Sequence, residues 1–269
     1  MGADLTSVLA PHHAAAVEAV VERFGMGDIC EALLLVGSSA HGSGSPGSDV
    51  DVILVASEAE FARRRRERTL AFVVHGLATR PGGYVDVKVT SRTMLERIAR
   101  RGSDPARYAF RDARILLTRD PSIGALLERV VRFPVEQRQT REHRFLAQVL
   151  AWTWFMEQAE AHDNLYLSTV ATHKLVLFAC RVVLNANEAV YPYHKWLLRE
   201  TEQLPRQPEG FSELIAELLR RPSSAAAQRL KDAVLAFAGA QEQKLDWPNQ
   251  FMVDSELSWL EHEAPIDDL

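Results

Sequence analysis

The chain has little that would place it outside a cell. Only two cysteines, Cys30 and Cys180, occur in 269 residues. They stand far apart and match no metal-ligand spacing, so both are expected as buried thiols of a reducing compartment. The opening MGADLTSVLAPHH lacks the basic start and long apolar core of a secretory signal. No window approaches the roughly twenty apolar residues that a membrane span needs, so no span is expected. A cytoplasmic protein without a membrane span is therefore the expectation. Positive charge is not in surplus either: the formal net charge is −5, which argues against a general nucleic-acid binder. Neither an internal repeat nor a low-complexity stretch is present, which excludes a solenoid or a linker-dominated chain.

What is present is a globular composition, 47% hydrophobic, with one stretch that stands out. Leu33 to Val55 reads LLLVG, then SSAHGSGSPGS, then DVDVILV. The two flanking apolar runs are short and rich in Leu, Val and Ile, as buried strands are. Asp49 and Asp51 open the second run. Side chains alternate along a strand, so these two carboxylates share a face. Placing two carboxylates side by side is costly unless a cation neutralises them. Hard cations such as Mg²⁺ suit such pairs and favour sites shared with phosphate oxygens. At the other end of the loop, Gly37 permits a tight turn and close approach to a ligand. Ser38 is expected to open a short helix or turn whose hydroxyl and backbone N–H groups receive an anion. Phosphate donors at one end and metal ligands at the other are the equipment for transferring a phosphoryl or nucleotidyl group.

Gly37-Ser38, ten residues, then Asp49-Val50-Asp51 in an apolar strand resembles the signature of the nucleotidyltransferase superfamily related to DNA polymerase β. That family also uses a third carboxylate on a later strand, and Tyr84-Val85-Asp86-Val87-Lys88-Val89 offers Asp86 in an alternating run. Relatives often carry a basic residue where this chain has His41. The resemblance implies an α/β (α+β) core with a short mixed sheet. It implies two Mg²⁺ ions bridging Asp49, Asp51 and the triphosphate of ATP as substrate, with Gly37 and Ser38 on the β- and γ-phosphates. Asp86 completes the metal nearest the acceptor and can receive its proton. AMP would pass to a hydroxyl of a small cationic acceptor, such as an aminoglycoside-type antibiotic, and pyrophosphate would leave. The alternatives are a protein or tRNA acceptor, as in toxin–antitoxin pairs, and a non-catalytic nucleotide-binding module.

In chain order, a helix is predicted over 11–28 with His12 and His13 solvated, then strands at 32–36 and 50–55. Ser57 with Glu60 three residues on is a capping pattern, so a helix is predicted over 57–76, its arginine run Arg63 to Arg66 spread around it as a solvated face. The Asp86 strand follows the Pro81-Gly82-Gly83 turn. A helix over 92–101, a strand over 111–117 and a helix from Asp120 to about Arg132 complete a nucleotidyltransferase-like domain, residues 1–134.

Residues 135–269 carry no strand signal and read as an all-α helical bundle. Helices are predicted over 136–160, 164–184 with Asp163 as N-cap, 191–201, 211–220 and 223–244. After Lys244 the chain is acidic, with no Lys or Arg, and a disordered solubilising tail is expected. Glu157, Glu160 and Asp163 fall three apart and are candidate contacts to a cationic acceptor. Lys174 and Lys195 are candidate triphosphate contacts, while His173 and His194 read as surface or packing residues. Trp152 and Trp154 cannot share a helix face, so one is expected in the core. The Arg, polar, His pattern of HEPN ribonucleases does not occur in convincing form, which argues against an RNase.

Overall fold

The computed structural model describes residues 11–25, 27, 29–41, 49–77 and 83–260. The loop 42–48, Pro81-Gly82, the first ten residues, the side chain of His12 and the acids Glu261, Glu263, Asp267 and Asp268 lie outside the described residues. The chain forms two compact units, Met1–Arg132 and Phe133–Leu269.

In the first unit the elements run α1 (Pro11–Gly25), β1 (Cys30–Val36), α2 (Gly37–Ala40), β2 (Val50–Ala56), α3 (Glu58–Arg66), β3 (Ala71–His75), β4 (Tyr84–Ser91), α4 (Arg92–Arg101), α5 (Asp104–Tyr108), β5 (Arg114–Thr118) and α6 (Ile123–Val130). The five strands form one sheet in the order β3-β4-β2-β1-β5. Only β2 and β4 run parallel; the other neighbours are antiparallel. Both faces of the central strands are buried. Leu33, Leu35, Val52, Leu54 and Val87 pack on the side of α1, and Leu34, Ile53 and Val55 pack with Leu95 of α4 and Leu126 and Val130 of α6. The α/β class of this half therefore follows from short apolar runs separated by amphipathic helices.

Four local expectations for this unit are corrected. The 57–76 helix stops at Arg66, because Arg68 takes a left-handed conformation (φ 57°) and Leu70 then leads into β3. The Ser57 cap is formed, Glu60 N–H donating to Ser57 Oγ at 3.4 Å. Phe72 and Val74 alternate inward against Ala71, Val73 and His75, a period of two that the longer helical window concealed. His13 is buried, at 4% exposure, because it stands at the first position of the apolar stripe continued by Ala16, Val17 and Val20. The expected strand over 111–117 starts only at Arg114. The short helix α5 was not foreseen. Its Arg107, 3% exposed, donates to the carbonyls of Ala99, Gly102, Val130 and Arg132, closing the C-terminal ends of α4 and α6. Of the arginine run, Arg63, Arg65 and Arg66 are exposed as expected, while Arg64 is half-buried over the Phe72 ring; Arg63 and Arg64 pair with Glu60, Arg63 also with Glu67. These bonds, led by the one from Arg63, hold the Glu60 carboxyl at about 2.

The second unit is helical: α7 (Arg138–Ala161), α8 (Leu165–Ala186), α9 (Leu197–Glu202), α10 (Phe211–Arg220), α11 (Ser224–Ala238) and α12 (Trp247–Asp254). Its core joins Val149, Leu150 and Met156 of α7 to Leu175, Ala179 and Val183 of α8, with Leu218 and Leu230 from α10 and α11. Asn164, not Asp163, caps α8: Leu167 N–H donates to Asn164 Oδ1 at 3.0 Å, while Asp163 adopts a left-handed turn (φ 49°). The 191–201 helix is a 3₁₀ turn at His194–Trp196 followed by α9. Part of the expected disordered tail is ordered. Helix α12 packs on α7 through Phe251 against Trp152 and Phe155, and Arg144 bonds Asp254 at 2.8 Å. Trp152 is the inner tryptophan, its indole N–H on Gln148, while Trp154 is 43% exposed. One window of α8 is long and apolar enough to cross a membrane by composition, with mean hydropathy 1.5, and half of it is buried in the bundle. This corrects the expectation that no window is apolar enough: His173, Lys174 and Arg181 interrupt the run without lowering its mean below that of a span.

Both thiols are fully buried, and burial pushes Cys180 up to about 12 and raises Cys30 as well, with Arg119 opposing. The thiolate is the reactive form. Iodoacetamide at pH 8 is therefore expected to modify neither cysteine in the folded chain and both in guanidinium. Mass spectrometry reads the outcome, and labelling of either in the native protein would contradict the packing described.

Candidate active site

The sheet register builds the site. β2 and β4 run parallel with Asp51 opposite Asp86 and Val50 opposite Val85. In-register neighbours on adjacent strands point to the same side, about 4.8 Å apart. Asp51 and Asp86 are thus side by side. Asp49, two residues before Asp51, falls next to Tyr84, two before Asp86. The four positions make a rectangle on one face of two strands, each side chain partly exposed. Toward its other end, β2 carries Ile53 and Val55 into the core under α4 and α6.

Tyr84 reports the electrostatics. Its phenol donates a hydrogen bond to the Asp49 carboxylate. That bond, the Asp49 charge, partial desolvation and the charges of Asp86 and Asp51 together raise its ionisation above the usual range. One hydroxyl therefore senses all three carboxylates. Sequence reasoning passed over Tyr84, although its spacing of two from Asp86 was a signal that it shares the carboxylate face. Beyond it, His75 of β3 lies opposite Tyr84, with ring centroids 6.3 Å apart.

Gly37 closes the site from β1. Val36 pairs with Asp51, so the residue after it turns directly over the Asp51 carboxylate. Gly37 adopts φ +69°, and a Cβ there would stand 2.3 Å from Asp51 Oδ2. Only glycine satisfies both the backbone conformation and the close approach. Ser38 follows in α2, half-buried. Ser39, 3% exposed, has no hydrogen-bond partner for its hydroxyl among the described residues. His41 ends α2 with its Nδ1 on Asp112 Oδ2 at 2.8 Å, its ring 6.0 Å from that of Tyr108.

These donors suit a hard cation. They are carboxylate oxygens with a glycine backbone held against them, and Mg²⁺ characteristically takes one or two carboxylates and completes its shell with water or substrate phosphate. Among the described residues no three His, Cys, Asp or Glu side chains form a ready-made ion cage, so phosphate oxygens would have to complete the shell.

The candidates of the helical unit are placed differently. Glu157 accepts from Gln228 Nε2 at 2.5 Å and Glu160 from the Ser224 N–H at 3.0 Å, so both carboxylates are fixed by α11. Ser224 opens that helix, and its bond to Glu160 holds the Glu160 carboxyl below its ordinary value. Asp163 sits in the turn before α8. Lys174 lies on α8 and Lys195 in the 3₁₀ turn, its ammonium 5.1 Å from the Trp196 ring centre.

No protein-family model and no curated protein matches this sequence. Among solved structures, a nucleotidyltransferase-like protein from Exiguobacterium sibiricum 255-15 is similar, with a TM-score of 0.49, 13% identity, and coverage of 93% of this chain and 80% of that one. At that level of likeness the chemistry has to be read from the residues themselves.

The Gly37–Asp51 contact is directly testable. Gly37→Ala adds a methyl group in a left-handed conformation, a cost of about 1–2 kcal/mol, and displaces the Asp51 carboxylate. Urea denaturation should show a lowered midpoint with an unchanged slope. An unaltered midpoint would mean that the close approach does not exist.

Proposed function

We propose that this protein is a divalent-metal-dependent nucleotidyltransferase that moves a nucleoside monophosphate, AMP from ATP, to a hydroxyl acceptor. The observation that carries the proposal is the register that sets Asp51 beside Asp86 with Asp49 on the same face. Asp49, Asp51 and Asp86 would hold Mg²⁺, which when bound neutralises triphosphate charge and favours ionisation of the acceptor hydroxyl. Gly37 and Ser38 bind the phosphates: the turn at Gly37 brings backbone against the carboxylates, and the Ser38 hydroxyl donates to a phosphate oxygen. The acceptor oxygen attacks the α-phosphorus, the bond to the α,β-bridging oxygen breaks, and pyrophosphate leaves with that electron pair. The acceptor proton passes to a carboxylate oxygen of Asp86. Tyr84 positions Asp49 by donating to one of its oxygens and leaving the other for the cation.

For the acceptor, we propose a small cationic compound of the aminoglycoside type. Its support is the pair Glu157 and Glu160, each anchored to α11 through one oxygen. A screen of aminoglycosides and lincosamides against tRNA and proteins with labelled ATP separates this from a macromolecular acceptor. Label on tRNA or protein alone would replace it.

Asp51→Asn and Asp86→Asn should each lower Mg²⁺-dependent pyrophosphate release by about a thousand-fold, the loss of several kcal/mol of transition-state charge stabilisation. Circular dichroism should be unchanged. Near-normal turnover in either variant would remove the mechanism. Tyr84→Phe should weaken Mn²⁺ binding about tenfold, read by the electron-spin resonance of free Mn²⁺. Unchanged binding would reduce Tyr84 to a bystander.

A further inference from the structure

The face of the sheet that carries the carboxylates does not end at Asp86. β3 is the edge strand beside β4, and its register sets Val73 opposite Asp86 and His75 opposite Tyr84. Directly opposed residues of antiparallel strands point to one side, with Cβ atoms about 5 Å apart. Ala71, Val73 and His75 therefore continue the carboxylate face. All three are exposed, Val73 at 47%. Phe72 and Val74 between them belong to the core on the other side. The core under α4 and α6 takes Ile53 and Val55 from β2 and no residue from β3 or β4. A β-branched apolar side chain is thus left open beside a carboxylate cluster.

Strand order gives this ledge a direction. From β1 to β3 the face reads Gly37, Asp51, Asp86, Val73. In the reaction proposed above, the phosphates that leave bind at the Gly37 end. An in-line displacement at phosphorus brings the nucleophile from the side opposite the leaving group. The acceptor hydroxyl then enters at Asp86, and the carbon that bears it falls over Val73. An apolar side chain suits C–H groups there, since polar groups set against it lose water without gaining a hydrogen bond. His75 stands two residues further along β3, edge-on to Tyr84, and its exposed imidazole can make a hydrogen bond to a ligand. Lys88, exposed on the same face opposite Ala71, repels ammonium groups from the other end of the ledge. The amino groups of a cationic acceptor are thereby turned toward Asp49.

We infer that Val73 and His75 form the acceptor subsite and select a hydroxyl carried on a saturated ring. The C–H face of the ring lies on Val73, and a polar substituent on a neighbouring ring carbon meets the His75 imidazole. This rests on the transferase reading and adds to it the place and shape of the acceptor. A ring presents its apolar face preformed, whereas an open-chain alcohol must give up the rotation of several bonds to cover the same side chain.

The probes are kanamycin, whose hydroxyls stand on rings, and glucamine, an open-chain amino alcohol, each given to the full chain with Mg²⁺ and labelled ATP. Kanamycin should take up label with a kcat/KM at least a hundredfold above that of glucamine. Val73→Arg fills the ledge and should raise the KM for kanamycin about tenfold, with kcat within about twofold of the parent. Val73→Thr keeps the β-branched shape that a strand favours and is the second variant if the first misfolds, with a rise of about threefold. His75→Ala should raise the same KM about tenfold, the loss of one hydrogen bond, and His75→Asn should restore most of it. In the chain loaded with Mg²⁺ and a non-hydrolysable ATP analogue, the Cε1 proton resonance of His75 should shift when kanamycin is added. No labelled product and no shift would overturn this inference together with the transfer reading. Labelled product, with KM unchanged in the Val73 and His75 variants or with glucamine used as well as kanamycin, would overturn this inference and leave the transfer reading standing.

Discussion

The parallel pairing of β2 with β4 is the constraint on which the candidate site depends. It sets Asp51 against Asp86 and Asp49 against Tyr84. Carboxylates repel at that spacing, so something must hold the strands in register. The hold comes from the rest of the same strands: Val52 and Leu54, then Val85 and Val87, are buried on one face, and Ile53 and Val55 on the other. A slip of one residue would turn all of them over. The apolar core thus fixes a charged site that would not assemble by itself. Gly37 adds a second constraint from β1, since only a residue without a Cβ can turn that close to Asp51.

Much of this was legible in the sequence. The Ser57 hydroxyl is spaced to meet an N–H three residues later, at Glu60, and that bond forms. The Asp49-Val50-Asp51 alternation fixes a common face by strand geometry alone. Pairing does not follow from one strand: that Asp86 is the neighbour of Asp51, and Tyr84 of Asp49, requires β2 and β4 to be adjacent and parallel. Local pattern also failed where two periods overlap. Phe72-Val73-Val74 satisfies both a helical and a strand template, and only the left-handed Arg68 decides between them. His13 shows the opposite error, a polar residue assigned to solvent by type although its position lay on the apolar stripe. In the helical unit Asp163 and Asn164 were both competent caps, and the turn geometry at Asp163 selects the second.

Charge is divided within the helical unit. Acids tie its helices together, as Glu157 and Glu160 do with α11, Asp254 with Arg144, and Glu242 with Lys231 at 2.8 Å. Lys174 and Lys195, on an acid-poor stretch, have no such partner among the described residues.

The central claim is that Asp49, Asp51 and Asp86 jointly hold the divalent ion against a nucleotide triphosphate. Crystals grown with Mn²⁺ and a non-hydrolysable ATP analogue test it most directly through the anomalous signal of the metal. The account predicts Mn²⁺ peaks within coordination distance of all three carboxylates, with triphosphate oxygens completing the shell and Ser38 on the phosphate side. Analogue bound with no metal at these residues, or metal held elsewhere, would contradict it.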